Sequence, residues 1–224
     1  MAVTAKINSG GGGTASAVYS AVTAPPESQP VAVKVSWPAR LYVAKWPPAT
    51  SADVVLRECK ALQRLAAAGV DNVERCVDSC YDAKTDQASV VLAPLFTAGP
   101  NGNDPDDSAA TVAALPPALQ QRVARQVART AVQMLLNAHL ASRDIQLLVN
   151  AQTGDVLFID FTEMTEADDD AVVTAFLRDA RRYIAPSSLG AAREAAAEAA
   201  AEASMPTSKQ AHHLEELLQA EGFL

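Results

Sequence analysis

The sequence predicts an α+β protein of two lobes, an N-terminal antiparallel sheet with one helix and then a mainly helical C-terminal lobe. Three observations carry this expectation. Short β-branched runs punctuated by Gly and Pro occupy residues 1 to 46. A single amphipathic stretch follows them. Beyond the polar segment GPNGNDPDDS, residues 99 to 108, apolar side chains recur at helical spacing. The expected division is 1–95 for the first lobe, 96–186 for a reduced second lobe, and 187–224 for an alanine-rich helical spacer with an amphipathic tail.

The elements follow in order. The runs AVYSAV, VAVKVSW and LYVAKW, separated by APPESQP and Pro38, read as strands. After Pro47-Pro48, Thr50 or Ser51 can cap a helix whose apolar positions Val54, Val55, Leu62 and Leu65 lead to a stop near Gly69. Asn72 to Val77 and Ala88 to Leu92, on either side of YDAKTDQ, form a further strand pair. Pro117 to about Leu140 carries Leu119, Val123, Val127, Val132, Leu135 and Leu136 on one face of a long helix that begins on a Pro-Pro start signal. LLVN, a turn at Thr153-Gly154-Asp155 and VLFIDF make a strand, tight turn, strand. A helix from Asp170 to about Ile184 stops before Pro186, with TEADDD, Thr165 to Asp170, as the solvated loop that caps it. In GAAREAAAEAAAEA, residues 190 to 203, high helix propensity comes with almost no packing face, which reads as a semi-rigid spacer. AHHLEELLQAEGFL then forms a short amphipathic helix that can dock back or meet a protein partner.

Composition excludes several classes. With 224 residues, 49% of them hydrophobic, there is enough chain to bury a core, and a net charge of −8 with scattered basic residues disfavours nucleic acid as a partner. No run approaches 18 apolar residues, so no membrane partner and a cytoplasmic address are expected. The three cysteines, Cys59, Cys76 and Cys80, are an odd number without a CxxC pair, and reduced thiols are expected, with Cys76 and Cys80 buried. His139 and the pair His212-His213 read as structural or solvated rather than as ligands.

The motifs point to phosphate chemistry. Gly11 to Val18 reads G-x-G-x-x-S-x-V, a strand's length before Val31-Ala32-Val33-Lys34; glycine lacks the Cβ that would keep a backbone away from phosphates. In the next helix, Glu58, Leu62 and Leu65 form an E-x-x-x-L-x-x-L face. Ser142-Arg143-Asp144 and Phe158-Ile159-Asp160-Phe161 follow the long helix in turn. In this order the set resembles the glycine-rich loop, lysine strand, C helix, HRD loop and DFG motif of the protein kinases, over about residues 8 to 186.

That resemblance implies a two-lobed kinase-like fold with ATP and Mg²⁺ as cofactors. It assigns Gly11, Gly13, Thr14 and Val18 to the nucleotide and Lys34 to its phosphates, preferred over Lys45, which lies nearer the following helix. Glu58 would hold the lysine, Asp144 would orient or deprotonate a hydroxyl acceptor on a protein or small molecule, and Asp160 would bind the metal. The sequence departs from the family at Ser142 in place of His, Thr162 in place of Gly, and Val149 where a second metal ligand, Asn, is the rule. Gln146 or the displaced Asn150 is the available substitute. No A-P-E follows, and Ile184-Ala185-Pro186 does not replace it. The implied function is transfer of the γ-phosphoryl group of ATP to a hydroxyl, with a pseudokinase, a binding or scaffolding module without catalysis, as the alternative.

Overall fold

Strand-period alternation in the N-terminal runs builds a five-stranded antiparallel sheet. In the computed structural model, the described residues are 2–8 (backbone), 16–23, 28–37, 50–94, 96, 108–203 and 209–224. The chain is mixed α/β, as expected, and divides into two units, residues 1–63 with 74–96, and residues 64–73 with 97–224.

In the first unit the strands are β1 (Ala2–Asn8), β2 (Ser16–Val22), β3 (Pro30–Ser36), β4 (Arg75–Asp82) and β5 (Gln87–Ala93), in the order β1-β2-β3-β5-β4. Register sets its two faces. Val18, Lys34 and Val90 lie opposite one another across β2, β3 and β5, while Val31, Val33 and Val91 point the other way and cluster with Ala21. The helix α1 (Ser51–Ala67) begins on a capping box: Thr50 Oγ1 accepts the Asp53 N–H, and Asp53 Oδ2 accepts the Thr50 N–H at 3.0 Å. Those bonds from Thr50 hold the Asp53 carboxyl below the usual carboxylate range. Its buried positions Ala52, Val55, Glu58, Cys59, Leu62 and Leu65 follow the helical period, so one stripe faces inward. The expected strand LYVAKW lies outside the described residues.

The second unit is arranged around α3 (Pro117–Leu136), which follows the short α2 (Ser108–Ala114). From Val123 onward α3 is buried on most sides. It ends before the expected Leu140 because His139 takes a left-handed backbone, φ 54°, which a right-handed helix cannot continue through. Two polar side chains in this apolar helix have defined work. Gln133 Oε1 accepts the Asp71 N–H at 3.0 Å, and Thr130 Oγ1 donates to the Asp71 carbonyl at 3.1 Å, so the segment after α1 is strapped onto α3. Its next residues carry that strap to β8 (Val156–Ile159), where the Phe158 N–H donates to the Asn72 carbonyl at 2.8 Å.

β7 (Gln146–Val149) pairs antiparallel with β8 across the predicted Thr153-Gly154-Asp155 turn, where Gly154 has φ 71° and a Cβ would crowd the Leu119 carbonyl at 3.3 Å. β6 (Leu140–Ser142) pairs with β9 (Met164–Glu166), two strands the sequence reading placed in a helix end and a solvated loop. Glu166 in β9 takes a two-pronged bond from Arg64. Asp169 caps α4 (Asp170–Arg181) by accepting the Ala171 N–H at 2.9 Å, the capping role expected of the acidic run.

The alanine-rich run differs from its expectation. It forms α5 (Leu189–Glu202), and Ala192, Ala195, Ala196 and Ala199 are buried where it packs along α3. Alanine has little hydrophobic surface but also no bulk, so the two backbones come close and the packing face is made by smallness. Arg125 and Arg129 of α3 reach Glu194 and Glu202 at the margins. The last helix, α6 (Lys209–Ala220), docks back through Leu214, Leu218 and the following Phe223, all buried. No helix among the described residues is long and apolar enough to cross a membrane.

Ala196→Leu, which overfills the α3 interface, is expected to cost about 1–3 kcal/mol in a denaturant titration. The exposed Ala197→Leu on the same helix is expected to be near neutral. On α6, His213 Nε2 lies 2.7 Å from Asp170 Oδ1, and the Asp170 carboxylate, with a smaller effect from Glu216, raises the imidazole pKa above its ordinary value. A raised pKa means that docking binds the proton more tightly. The contribution is complete below about pH 6.5 and fades as pH climbs through the higher docked value. An NMR titration of His213 should give a midpoint above about 6.5 that falls in Asp170→Asn; equal midpoints would show that the pair does not form in solution.

Candidate functional site

Lys34 is the residue that least belongs where its strand puts it. It sits mid-strand in β3, directly opposite Val18 on one side and Val90 on the other, and its side chain is only 9% exposed. An ammonium ion there is tolerable only with a counter-charge within reach. Glu58, fully buried on α1, supplies it: Nζ lies 2.9 Å from Oε1 and 2.8 Å from Oε2. The expected pairing of Lys34 with Glu58 is thus present in the structure. Gly11, Gly13, Thr14 and the alternative Lys45 lie outside the described residues. Val18 is half-buried beside Lys34 on the same sheet face.

The helix that carries Glu58 is held by more than this pair. Ser51 Oγ accepts the Trp37 N–H at 2.9 Å, which fixes the helix start beside the end of β3. Cys59, next to Glu58, forms a disulfide with Cys76 of β4. This corrects the expectation of reduced thiols, and of a buried Cys80, which is exposed and free. An odd cysteine count concealed a pair because the match is made in space, between a helix face and a sheet edge.

In the second unit the two aspartates occupy neighbouring crossovers. The chain passes from β6 to β7 through Arg143–Ile145 and from β8 to β9 through Asp160–Glu163, and the Arg143 N–H donates to the Glu163 carbonyl at 3.2 Å between them. Asp144 is exposed in the first crossover. Its backbone is pinned by Ser142, whose hydroxyl donates to the Asp144 carbonyl at 2.7 Å and accepts the Asp144 N–H at 3.2 Å. Ser142, which stands where the resemblance calls for histidine, is thus a buried residue that closes the turn on itself.

Asp160 begins the second crossover with φ 58° and ψ 67°. This left-handed conformation is uncommon outside glycine and best tolerated by Asp and Asn, and it ends β8 abruptly. Thr162, which stands where the resemblance calls for glycine, donates from its hydroxyl to Asp160 Oδ1 at 3.1 Å. Gln146 pairs in register with Ile159, the residue before Asp160. Asn150, the other candidate ligand, is engaged elsewhere: its Oδ1 accepts the N–H groups of Gln152 and Thr153 at 2.9 and 3.1 Å and so builds the β7–β8 turn. Val149 is fully buried.

Two residues that sequence reading passed over shape these crossovers. The buried Tyr183 hydroxyl donates to the Ile145 carbonyl at 3.1 Å, and the buried Ser108 hydroxyl donates to the Leu147 carbonyl. Neither sits in a motif; a tyrosine just past a helix end, in an otherwise ring-poor chain, was the available signal. Among the described residues no group of three or more His, Cys, Asp or Glu is placed to hold a metal. No family model matches the chain, and no curated protein is significantly similar to it.

The burial of Lys34 and Glu58 makes a double-mutant test direct. Glu58→Ala, which leaves the ammonium without its carboxylate, is expected to lower stability by about 3–5 kcal/mol. The apolar pair Lys34→Met with Glu58→Leu should lose much less than either single change, because neither partner is then stranded. Additive losses in chemical denaturation would mean that the two charges do not depend on each other.

Proposed function

We propose that this chain is a kinase-like phosphotransferase that binds ATP with Mg²⁺ and transfers the γ-phosphoryl group to a hydroxyl of a protein or small molecule. The observation that carries this reading is the buried Lys34–Glu58 pair. A solvated strand lysine needs no fully buried glutamate, whereas a lysine that must present its ammonium to phosphates in a fixed place does. Val18 and Ala32 share its sheet face, where they offer an apolar surface beside the charge, and Val18 closes the G-x-G-x-x-S-x-V run whose glycines would approach the phosphates.

The donor set in the second unit suits a hard cation. The Asp160 carboxylate and the Gln146 amide oxygen are oxygen ligands of the kind Mg²⁺ prefers, with water completing the shell; Gln146 pairs with Ile159, the residue before Asp160. ATP and Mg²⁺ when bound supply the phosphoryl group and the charge that neutralises it. This chain's own residues do the rest: Lys34 holds phosphate oxygens, Glu58 keeps Lys34 aimed, and Asp160 and Gln146 hold the metal. Asp144, exposed on a turn fixed by Ser142 and Tyr183, accepts the proton of the acceptor hydroxyl.

One observation favours the second reading, a pseudokinase that binds nucleotide without turning it over. With Val149 buried and Asn150 engaged in the hairpin turn, Gln146 is the one remaining substitute, of those named, for the family's second metal ligand, and it stands at the start of β7 rather than at position 149.

Isothermal titration of the full chain with ATP separates these. Binding is expected to tighten by about tenfold or more when Mg²⁺ is added, and Asp160→Ala is expected to abolish the difference. No heat from ATP under either condition would refute both readings, and binding indifferent to Mg²⁺ would leave the pseudokinase. Where binding is metal-dependent, ATP turnover lost in Asp144→Asn supports the enzyme.

A further inference from the structure

The disulfide lies beside the ion pair. Cys59 follows Glu58 on the buried stripe of α1, and Cys76 sits in β4, an edge strand of the sheet, opposite Leu92. We propose that Cys59–Cys76 is a reversible redox site, opened by a dithiol reductant, and that its opening unseats Glu58 from Lys34.

Access to the bond is one-sided. Cys59 is 3% exposed, whereas Cys76 is half-buried on an edge strand whose ladder is interrupted just beyond it, between Cys76 and Asp78, where Val77 is 60% exposed. A bulge on an edge strand loosens the backbone and opens the side chain beside it to an approaching molecule. The dithiol's thiolate therefore attacks Cys76 Sγ. The S–S bond breaks with its electron pair going to Cys59 Sγ, which takes up a proton. The second thiol of the reductant then attacks the mixed disulfide, freeing the Cys76 thiol and leaving the reductant as a disulfide. Two electrons and two protons pass from the dithiol to the cysteine pair.

The effect reaches the ion pair through adjacency. Glu58 is carried by helix backbone whose nearest covalent anchor to the sheet is the next residue, while Lys34 stays with β3, paired on both sides. Once the anchor opens, any outward movement of that turn of α1 draws the carboxylate from an ammonium that is stable in its buried setting only when paired. Cys80 takes no part: it pairs with Ser89 on the opposite sheet face from Cys76 and is a free thiol.

The test follows amine chemistry, so its outcome is separate from that of nucleotide binding. In the Cys80→Ser chain, thiols are counted by alkylation and mass spectrometry with and without dithiothreitol, in the absence of denaturant. Acylation of Lys34 is timed against the exposed Lys60 as internal reference. Reduction is expected to free both cysteines and to speed Lys34 acylation by about tenfold while Lys60 is unchanged, with reoxidation restoring the slow rate. The Cys59→Ser, Cys76→Ser and Cys80→Ser triple variant should match the reduced protein. A bond that resists dithiothreitol, or an unchanged Lys34 rate after reduction, overturns the proposal. So does a collapse of the far-ultraviolet circular dichroism on reduction, which would mean that the bond merely holds the fold.

Discussion

An ammonium ion buried in the middle of a sheet imposes a demand that the first unit is organised to meet. Lys34 stands between Val18 and Val90, so no neighbouring strand can answer its charge at the directly opposed positions. The answer has to come from above the sheet, which means a helix must cross that face with a carboxylate at one particular position. α1 does so, and its other features read as means of keeping it there. The capping box at Thr50 and Asp53 sets its first turn, the Ser51 bond to Trp37 sets its start, Val55 and Leu62 bury its underside, and Cys59 bonds it to β4. The apolar stripe supplies adhesion without direction. Direction comes from the polar and covalent contacts.

The second unit solves a different problem, that of anchoring short, irregular segments that carry carboxylates. β6 and β9 have three residues each and β7 and β8 four, too little ladder to be stable alone. They are steadied by side chains that bond backbone: Thr130 and Gln133 capture Asp71, Tyr183 reaches the Ile145 carbonyl at the end of the β6–β7 connection, and Ser108 reaches the Leu147 carbonyl in β7. Buried hydroxyl and amide groups in or just past helices thus do for these short strands what long ladders do in larger sheets. The price is that each of these groups must find its partner, since an unmatched one in the interior is costly.

Legibility in the sequence followed the length scale of the signal. α1 was readable because its apolar stripe and its cap are local, and the β7–β8 hairpin because Thr153-Gly154-Asp155 supplies the glycine its turn requires. Lys34 and Glu58 could be nominated by pattern, but only the fold could bring them within 3 Å. The cysteine pair was hidden because it joins a helix face to a sheet edge across intervening chain. β6 and β9 were lost inside a helix end and an acidic run, because three residues carry no periodicity. The packing face of the alanine helix is invisible in the sequence for a reason of principle: apolar patterning measures surface, and α5 packs through the absence of it.

The left-handed backbone at Asp160 bears on which exchanges that position tolerates. Only Gly, Asn and Asp take that conformation with little strain. An exchange to Asn or Gly would therefore erase the charge while leaving the crossover folded, whereas Glu, which keeps the charge, would strain it. Chemistry and architecture are thus separable at this residue. A single exchange at this position can therefore remove a carboxylate with the scaffold undisturbed.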